Sequence, residues 1–155
     1  MKIFVGILLC IVSTFIGYYF SKKYSVRRKF FQDFVDFNSA IKKEISFSKN
    51  TLISFIKSYE NANDLFYKNL IDVIVNKKNV SLEKNIFTKQ ENQYLTSYLN
   101  FIGTSDTNSQ LNFLNKTEKE LDGFLEESMA EEKKCKSLYI KIGFLIGLIM
   151  FIAVL

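Results

Sequence analysis

The side chains considered first for chemistry in this chain are its carboxylates and its two thiols. Its 155 residues include no histidine. Paired acids occur at Glu126–Glu127 and Glu131–Glu132, but neighbouring lysines make this segment typical of a solvated helix face. Without histidine, Cys10 and Cys135 have no partner for Cys–His catalysis and no usual zinc site can form. The six glycines fit no phosphate-binding loop. We therefore expect no enzyme activity, no metal, no cofactor and no small-molecule substrate.

The same acids permit two interpretations of binding. One is a solubilising surface, in which the charges serve only to keep the helix hydrated. The other is a docking face for a basic partner, formed by Glu126, Glu127, Glu131 and Glu132.

Two apolar segments must position everything else. Each of the segments 3–20 and 138–155 has eighteen residues, which at about 1.5 Å per residue is roughly the thickness of the hydrocarbon core. We predict membrane spans at 1–20 and 138–155 with a helical domain at 21–137. A cleaved signal peptide is the alternative for the first segment, but it would carry its positive charge before the apolar run. A buried core helix is the alternative for the second.

Positive charge is concentrated on the inner flanks of both segments. This basic collar consists of Lys22, Lys23, Arg27, Arg28, Lys29, Lys133, Lys134 and Lys136. Because Lys and Arg beside spans are retained on the cytoplasmic side, we predict an N-out, C-out topology with a cytoplasmic central domain. The collar would face anionic lipid head groups. The pI of 9.1 therefore does not indicate nucleic-acid binding, since residues 30–132 hold eleven lysines against sixteen acids.

The central segment has the pattern of a helical bundle. Apolar residues at Phe30, Phe34, Phe37 and Ile41 follow the spacing of one helix face. We predict an all-α, membrane-anchored bundle of about six helices, whose first and last helices continue into the spans. One of these is a short fourth helix from Ser81 through Phe87.

Local signals mark the ends of the later helices. Thr88 and Glu91 have the spacing of a capping box. Gly103 is suited to the position after a helix end, and Asp106 to the N-cap of the last helix, with Thr104 and Ser105 as alternative caps. In the second span Gly143 and Gly147 form a G-x-x-x-G pattern that lets another helix approach closely.

Several motifs in order resemble one known family. They are the segment 99–110 (LNFIGTSDTNSQ), which contains Gly103, Thr104, Ser105, Asp106 and Gln110; the later residues Leu114, Glu118 and Glu120; the glycine pattern of the last span; and the segment 44–52 (EISFSKNTL). Together they resemble stage III sporulation protein AB over essentially the whole chain. The family commonly has a proline near the segment that corresponds to 44–52 and a tryptophan in the middle of the domain. This chain has neither residue.

The resemblance implies a non-enzymatic component of the channel that joins the mother cell to the forespore. The protein would lie in the mother-cell membrane and link a cytoplasmic ATPase to ring-forming membrane proteins, by similarity to the platform domains of type II secretion and type IV pilus systems. The alternative is a membrane-tethered secretion-platform or signalling adaptor unrelated to sporulation. Gene neighbourhood distinguishes the two, since an adjacent ATPase gene favours the first.

Overall fold

Two long helices account for most of this all-α protein. The computed structural model describes residues 2–47, 52–59, 64–78, 82, 85–102, 104 and 106–154. The helices are α1 (Lys2–Phe47), α2 (Leu52–Ser58), α3 (Asp64–Leu70), α4 (Lys89–Phe101) and α5 (Thr107–Val154). The predicted all-α fold is confirmed, with five α-helices among the described residues where about six were predicted.

The lengths of α1 and α5 follow from the lack of helix breakers. The two helices have 46 and 48 residues, and the chain contains no proline that would remove a helical hydrogen bond. Each helix includes an apolar stretch at its outer end and an amphipathic stretch at its inner end. The prediction that the first and last helices continue into the apolar segments is therefore confirmed.

The chain divides into two compact units. The first, which we call the helix-pair unit, contains Met1–Arg28 and Glu127–Leu155, and the second, the helical domain, contains Lys29–Glu126. Residues 21–28 and 127–137, which the sequence assigned to the central domain, thus pack with the apolar parts of α1 and α5.

Aromatic side chains fill the core of the helical domain. Phe30, Phe34 and Phe37 on α1 are at most 1% exposed, as their helical spacing predicts. The ring of Phe34 lies 4.6 Å from that of Tyr98 on α4 and 5.4 Å from that of Phe66 on α3, measured between centroids. Edge-on and tilted ring pairs at these separations are favourable beyond their burial alone. The stripe on α1 is therefore the centre around which the shorter helices pack.

The polar side chain of Asn38 is buried within this core. Asn38 on α1 is 1% exposed and accepts a hydrogen bond of 2.9 Å from the Tyr98 hydroxyl through Oδ1. Its Nδ2 donates to the Leu114 carbonyl oxygen on α5 at 3.3 Å. Because a buried polar group without partners is costly, these two bonds fix how α1, α4 and α5 meet. Burial also raises the pKa of Tyr98, so this hydroxyl stays protonated and remains a donor.

Helix α3 is extended at its C-terminal end by a π-helical turn. Residues Ile71–Val75 follow α3 directly as a π-helical turn. Lys77 then adopts a φ of 53°, in the left-handed region, and Lys78 donates to the side chain and the backbone carbonyl of Asp72. These bonds terminate the helix at Asn76–Lys78.

The predicted fourth helix, from Ser81 to Phe87, is wrong for its described residues. Asn85 and Ile86 form a turn and Phe87 a bend, while residues 81, 83 and 84 lie outside the described residues. Both Leu82 and Phe87 are buried, and the Phe87 ring lies 4.7 Å from that of Phe30. Residues five apart point about 140° away from each other on an α-helix, so a helix would not direct both into the core.

Both predicted N-terminal caps have hydrogen bonds to their helices. Thr88 Oγ1 accepts from the Glu91 amide at 3.2 Å, and the Glu91 carboxylate accepts from the Thr88 amide at 2.7 Å, so the capping box is confirmed. Before α5, Asp106 Oδ2 accepts from the Ser109 amide at 3.1 Å. Hydrogen bonds from the Ser109 side chain and backbone hold the pKa of Asp106 below its usual value. Asp106 is therefore ionised at neutral pH, beside the positive end of the α5 dipole.

Candidate functional site

The helix-pair unit contains the closest backbone contacts between α1 and α5. A Cβ atom built on Gly17 would lie 2.5 Å from the Tyr139 carbonyl oxygen, and one built on Gly143 would lie 2.8 Å from the Ser13 carbonyl oxygen. At Gly147 it would lie 2.8 Å from Cys10 Cα. These separations leave no room for a side chain. Gly143 and Gly147 thus form a helix-packing surface, and the helix that they approach is α1 of the same chain.

The surface on α1 that receives these glycines was missed by the sequence analysis. It consists of Cys10, Ser13 and Gly17. Gly6 lies on the same face but meets the Phe151 ring, and the spacing of four, three and four residues places all four small side chains on one side of α1. The signal was present, since stripes of small residues are typical of helix contacts in lipid. Ser13 adds a polar link, because its hydroxyl donates to the Gly143 carbonyl oxygen at 2.7 Å.

Charged side chains join the two helices at the inner flanks of their apolar stretches. We call this the charged cluster, and it consists of Ser25, Arg27, Arg28, Glu127, Glu131 and Glu132. Arg27 Nη1 lies 2.5 Å from Glu131 Oε2, and Arg28 Nε lies 2.6 Å from Glu132 Oε2. Arg27 Nη2 is also 3.8 Å from Glu127 Oε1, and Ser25 donates to Glu132. The cluster therefore ties residues of α1 to residues about one hundred positions later.

The charged cluster changes the interpretation of both predicted surfaces. Arg27 is only 5% exposed, so this member of the basic collar binds carboxylates and does not face lipid head groups. Three of the four acids suggested for partner docking, Glu127, Glu131 and Glu132, bind these arginines. Glu126 is exposed and lies in the helical domain. The remaining collar lysines are exposed at Lys22, Lys23, Lys29, Lys133 and Lys134 and half-buried at Lys136.

Acidic and basic residues are nearly balanced in the helical domain. Residues 29–126 contain twelve lysines against thirteen Asp and Glu, so the helical domain is nearly neutral. Three of the sixteen acids counted in residues 30–132, namely Glu127, Glu131 and Glu132, belong to the helix-pair unit. Those three acids partly neutralise the basic flanks of α1 and α5.

Glu132 makes the charged cluster sensitive to acid. Burial disfavours its ionisation, but hydrogen bonds from Ser25 and Arg28 and the charges of Arg28 and Lys136 outweigh burial, so the pKa of Glu132 lies below its usual value. Ionised Glu132 therefore contributes stability at neutral pH. This contribution is lost as the pH falls through the lowered pKa, below the ordinary range of a glutamate.

A charge swap tests the pairing of Arg27 with Glu131. Arg27→Glu places like charges together and should lower the thermal midpoint of the full chain in detergent, while Arg27→Glu with Glu131→Arg should recover part of the loss. Contacting pairs show coupling free energies of about 0.5–3 kcal/mol in such cycles. Lys134→Glu is the control, because its side chain is exposed. Strictly additive effects of the two substitutions would contradict the ion pair.

The family motif is partly described. Thr104 Oγ1 donates to the Phe101 carbonyl oxygen at 2.8 Å, and the Gln110 amide donates to the Asp106 carbonyl oxygen at 3.0 Å in the first turn of α5. The predictions for Gly103 and Ser105 lie outside the described residues. The motif therefore forms the connection from α4 to α5, where Thr104 bonds the end of one helix and Asp106 the start of the next.

The described residues contain no cluster of three or more His, Cys, Asp or Glu side chains that could hold a metal ion. Among the described residues, two helices are long and apolar enough to cross a membrane, each with an eighteen-residue stretch that is strongly apolar. Only 11% of each of these stretches is buried. The exposed apolar surface is consistent with association with a membrane.

These features define a small α-helical protein with two candidate transmembrane helices and a helical domain between them. The family model described as stage III sporulation protein AB matches residues 2–155, so the chain belongs to this family. No curated protein and no solved structure matches the chain significantly. The resemblance inferred from the motifs is thereby confirmed, and the family supports a role in sporulation.

Proposed function

We propose that this protein is a non-enzymatic membrane platform of the channel between mother cell and forespore. It lies in the mother-cell membrane and connects a cytoplasmic ATPase to other membrane proteins of the channel. The sporulation family supports the setting of this proposal. The observation that carries the platform role is that α1 and α5 each supply an apolar stretch able to span a membrane and a major part of the domain core.

This construction suits a protein that transmits a mechanical or binding signal. Phe30, Phe34 and Leu114 belong to the domain core, and each lies on a helix that also includes an apolar stretch. Both helices are continuous from Lys2 to Phe47 and from Thr107 to Val154. A partner that binds the domain thus acts on residues of the same helices that enter the membrane.

The basic flanks support an N-out, C-out topology, with the helical domain in the cytoplasm. Cys135 provides a direct test, because it is only half-buried and lies on α5 just before the apolar stretch. In a Cys10→Ser background, a membrane-impermeant thiol reagent should label Cys135 only after the cells are permeabilised. Labelling in intact cells would contradict the topology.

Deletion of the gene tests the biological role. Spore development should stop after engulfment while vegetative growth stays normal, and the full-length gene supplied in trans should restore spores. A normal spore yield in the deletion strain would contradict the proposal.

Copurification tests the proposed partner. The full-length chain, extracted in mild detergent, should retain the ATPase encoded by a neighbouring gene. Glu126→Lys probes the exposed acid of the predicted docking face, and Lys119→Glu is a control at another exposed position of α5. Failure of the ATPase to copurify with the wild-type chain would contradict the adaptor role and leave the membrane assignment standing.

A further inference from the structure

Two apolar grooves run along the helix-pair unit on opposite sides of the contact between α1 and α5. The first groove is lined by residues that include Thr14, Phe15, Tyr18, Ile140 and Phe144. The second groove is lined by residues that include Val12, Ile16, Phe20, Ile142 and Ile146. The two linings are similarly apolar, so the difference between the grooves lies at their inner ends.

The inner end of the first groove is basic. Lys22 follows Tyr18 by four residues and Lys136 precedes Ile140 by four, so each lysine shares a helix face with a groove residue and lies one turn further in. The contacts of Gly17 with Tyr139 and of Ser25 with Glu132 bracket both lysines, which places them at the same level.

A third lysine extends this basic end by another turn. Lys133 precedes Lys136 by three residues, and the Lys22 and Lys133 side chains are exposed. Glu132, which precedes Lys133 directly, binds Arg28 and Ser25 and also feels the charge of Lys136, so a single carboxylate stands against Arg28 and the three lysines. The first groove therefore ends in a surplus of positive charge.

The inner end of the second groove carries less positive charge than that of the first. It holds Lys23, which follows Phe20 by three residues and lies over the Tyr24 ring, 5.0 Å from its centroid. Arg27 follows Phe20 by seven residues and Glu131 precedes Ile142 by eleven, so both lie on the faces that line the second groove. Arg27 is bound there by Glu131 and Glu127. These carboxylates would repel a phosphate, whereas the lysines at the first groove would attract one.

We propose that the first groove is a binding site for one anionic phospholipid. Its acyl chain lies along Phe15, Tyr18 and Phe144, and its head-group phosphate lies against Lys22, Lys133 and Lys136. The apolar lining fits a hydrocarbon chain, and the basic end is complementary to an anionic head group in the place where head groups begin. The site rests on the proposed function in one respect, since it requires that α1 and α5 cross the membrane.

The lack of tryptophan in the chain makes the two grooves separately observable. Phe144→Trp places a single reporter in the first groove, and Ile142→Trp places a matched reporter in the second, about 3 Å away along the helix axis. Both positions are partly exposed, at 49% and 44%. The full chain is reconstituted in phosphatidylcholine vesicles with a minor fraction of brominated phosphatidylglycerol or, in parallel, of brominated phosphatidylcholine, and quenching of the tryptophan is measured.

The site predicts that brominated phosphatidylglycerol quenches the reporter at 144 more strongly than brominated phosphatidylcholine, with little difference at 142. Lys22→Gln with Lys136→Gln should lower the preference for phosphatidylglycerol roughly tenfold. Lys23→Gln with Lys134→Gln removes the same charge from the collar but not from this groove, and should retain the preference. A circular dichroism spectrum establishes that each variant is folded.

Other outcomes overturn distinct statements. Equal quenching by the two lipids at position 144 would overturn the phospholipid site and leave the membrane crossing intact. The same loss of preference in both lysine pairs would show a diffuse charge effect and would also overturn the site. Absence of quenching by either lipid at both reporters would contradict the membrane crossing itself, and with it the proposed function.

Discussion

Replacing Phe34 by alanine is expected to remove about 3–5 kcal/mol from the stability of the helical domain, the range measured for large-to-small changes at buried aromatic positions. Phe34 is 1% exposed and its ring contacts those of Phe30, Phe66, Tyr94 and Tyr98. Small domains have total stabilities of only about 5–15 kcal/mol. The substitution should therefore bring the domain close to unfolding at growth temperature.

Near-ultraviolet circular dichroism of the full chain in detergent measures this effect. The signal comes from aromatic rings in fixed packing, and it disappears when the domain unfolds. The midpoint in urea should fall sharply for Phe34→Ala. Ile53→Ala is the control, since this α2 side chain is 47% exposed and its removal should change the midpoint little. Equal midpoints for Phe34→Ala and the wild-type chain would show that Phe34 is not a core residue.

The burial of Phe34 could be predicted from sequence because helix periodicity is a local property. Phe30, Phe34, Phe37 and Ile41 recur at three- and four-residue intervals, so any helix through them has one apolar face that must be covered. All four are at most 1% exposed. The capping box at Thr88 was predictable for the same reason, since both of its hydrogen bonds join residues three apart.

Pairing between distant segments could not be predicted in this way. The Arg27–Glu131 pair joins residues 104 positions apart, and the sequence offers several other acids and bases of equal charge. Only the register of α1 against α5, fixed by the glycine contacts, selects this pair. The incorrect helix at residues 81–87 has a related cause, because the burial of Leu82 and Phe87 against other helices overrides the local helical pattern.

The two units thus depend on different physical interactions. In the helical domain, removal of aromatic surface from water supplies the main driving force. In a membrane, the exposed apolar side chains of the helix-pair unit would gain little from leaving lipid, so close backbone packing and polar contacts would have to hold α1 against α5. Glycine is essential in the second case because no other residue permits the observed approach.

Gly17→Leu is therefore expected to separate α1 from α5, at a cost of about 1–3 kcal/mol for overpacking. Even a Cβ atom at this position would lie 2.5 Å from the Tyr139 carbonyl oxygen. This oxygen belongs to the backbone of α5, so it cannot rotate away as a side chain could. The helices must move towards the separation of about 8–10 Å usual for larger side chains. The Ser13 hydrogen bond to Gly143 should be lost as they do so.

The matched control is Gly123→Leu, because nothing lies within 4 Å of a Cβ atom at Gly123. Both substitutions exchange glycine for a better helix former, worth up to ~1 kcal/mol, so a difference between them isolates the contact with α5. Spin labels at positions 11 and 144, which line the same groove, should broaden each other's spectra in the wild-type background and in Gly123→Leu, but not in Gly17→Leu. If the platform function requires the paired helices, spore yield should fall towards that of the deletion strain for Gly17→Leu alone. Unchanged broadening in Gly17→Leu would contradict the glycine contact and with it this account of the helix-pair unit.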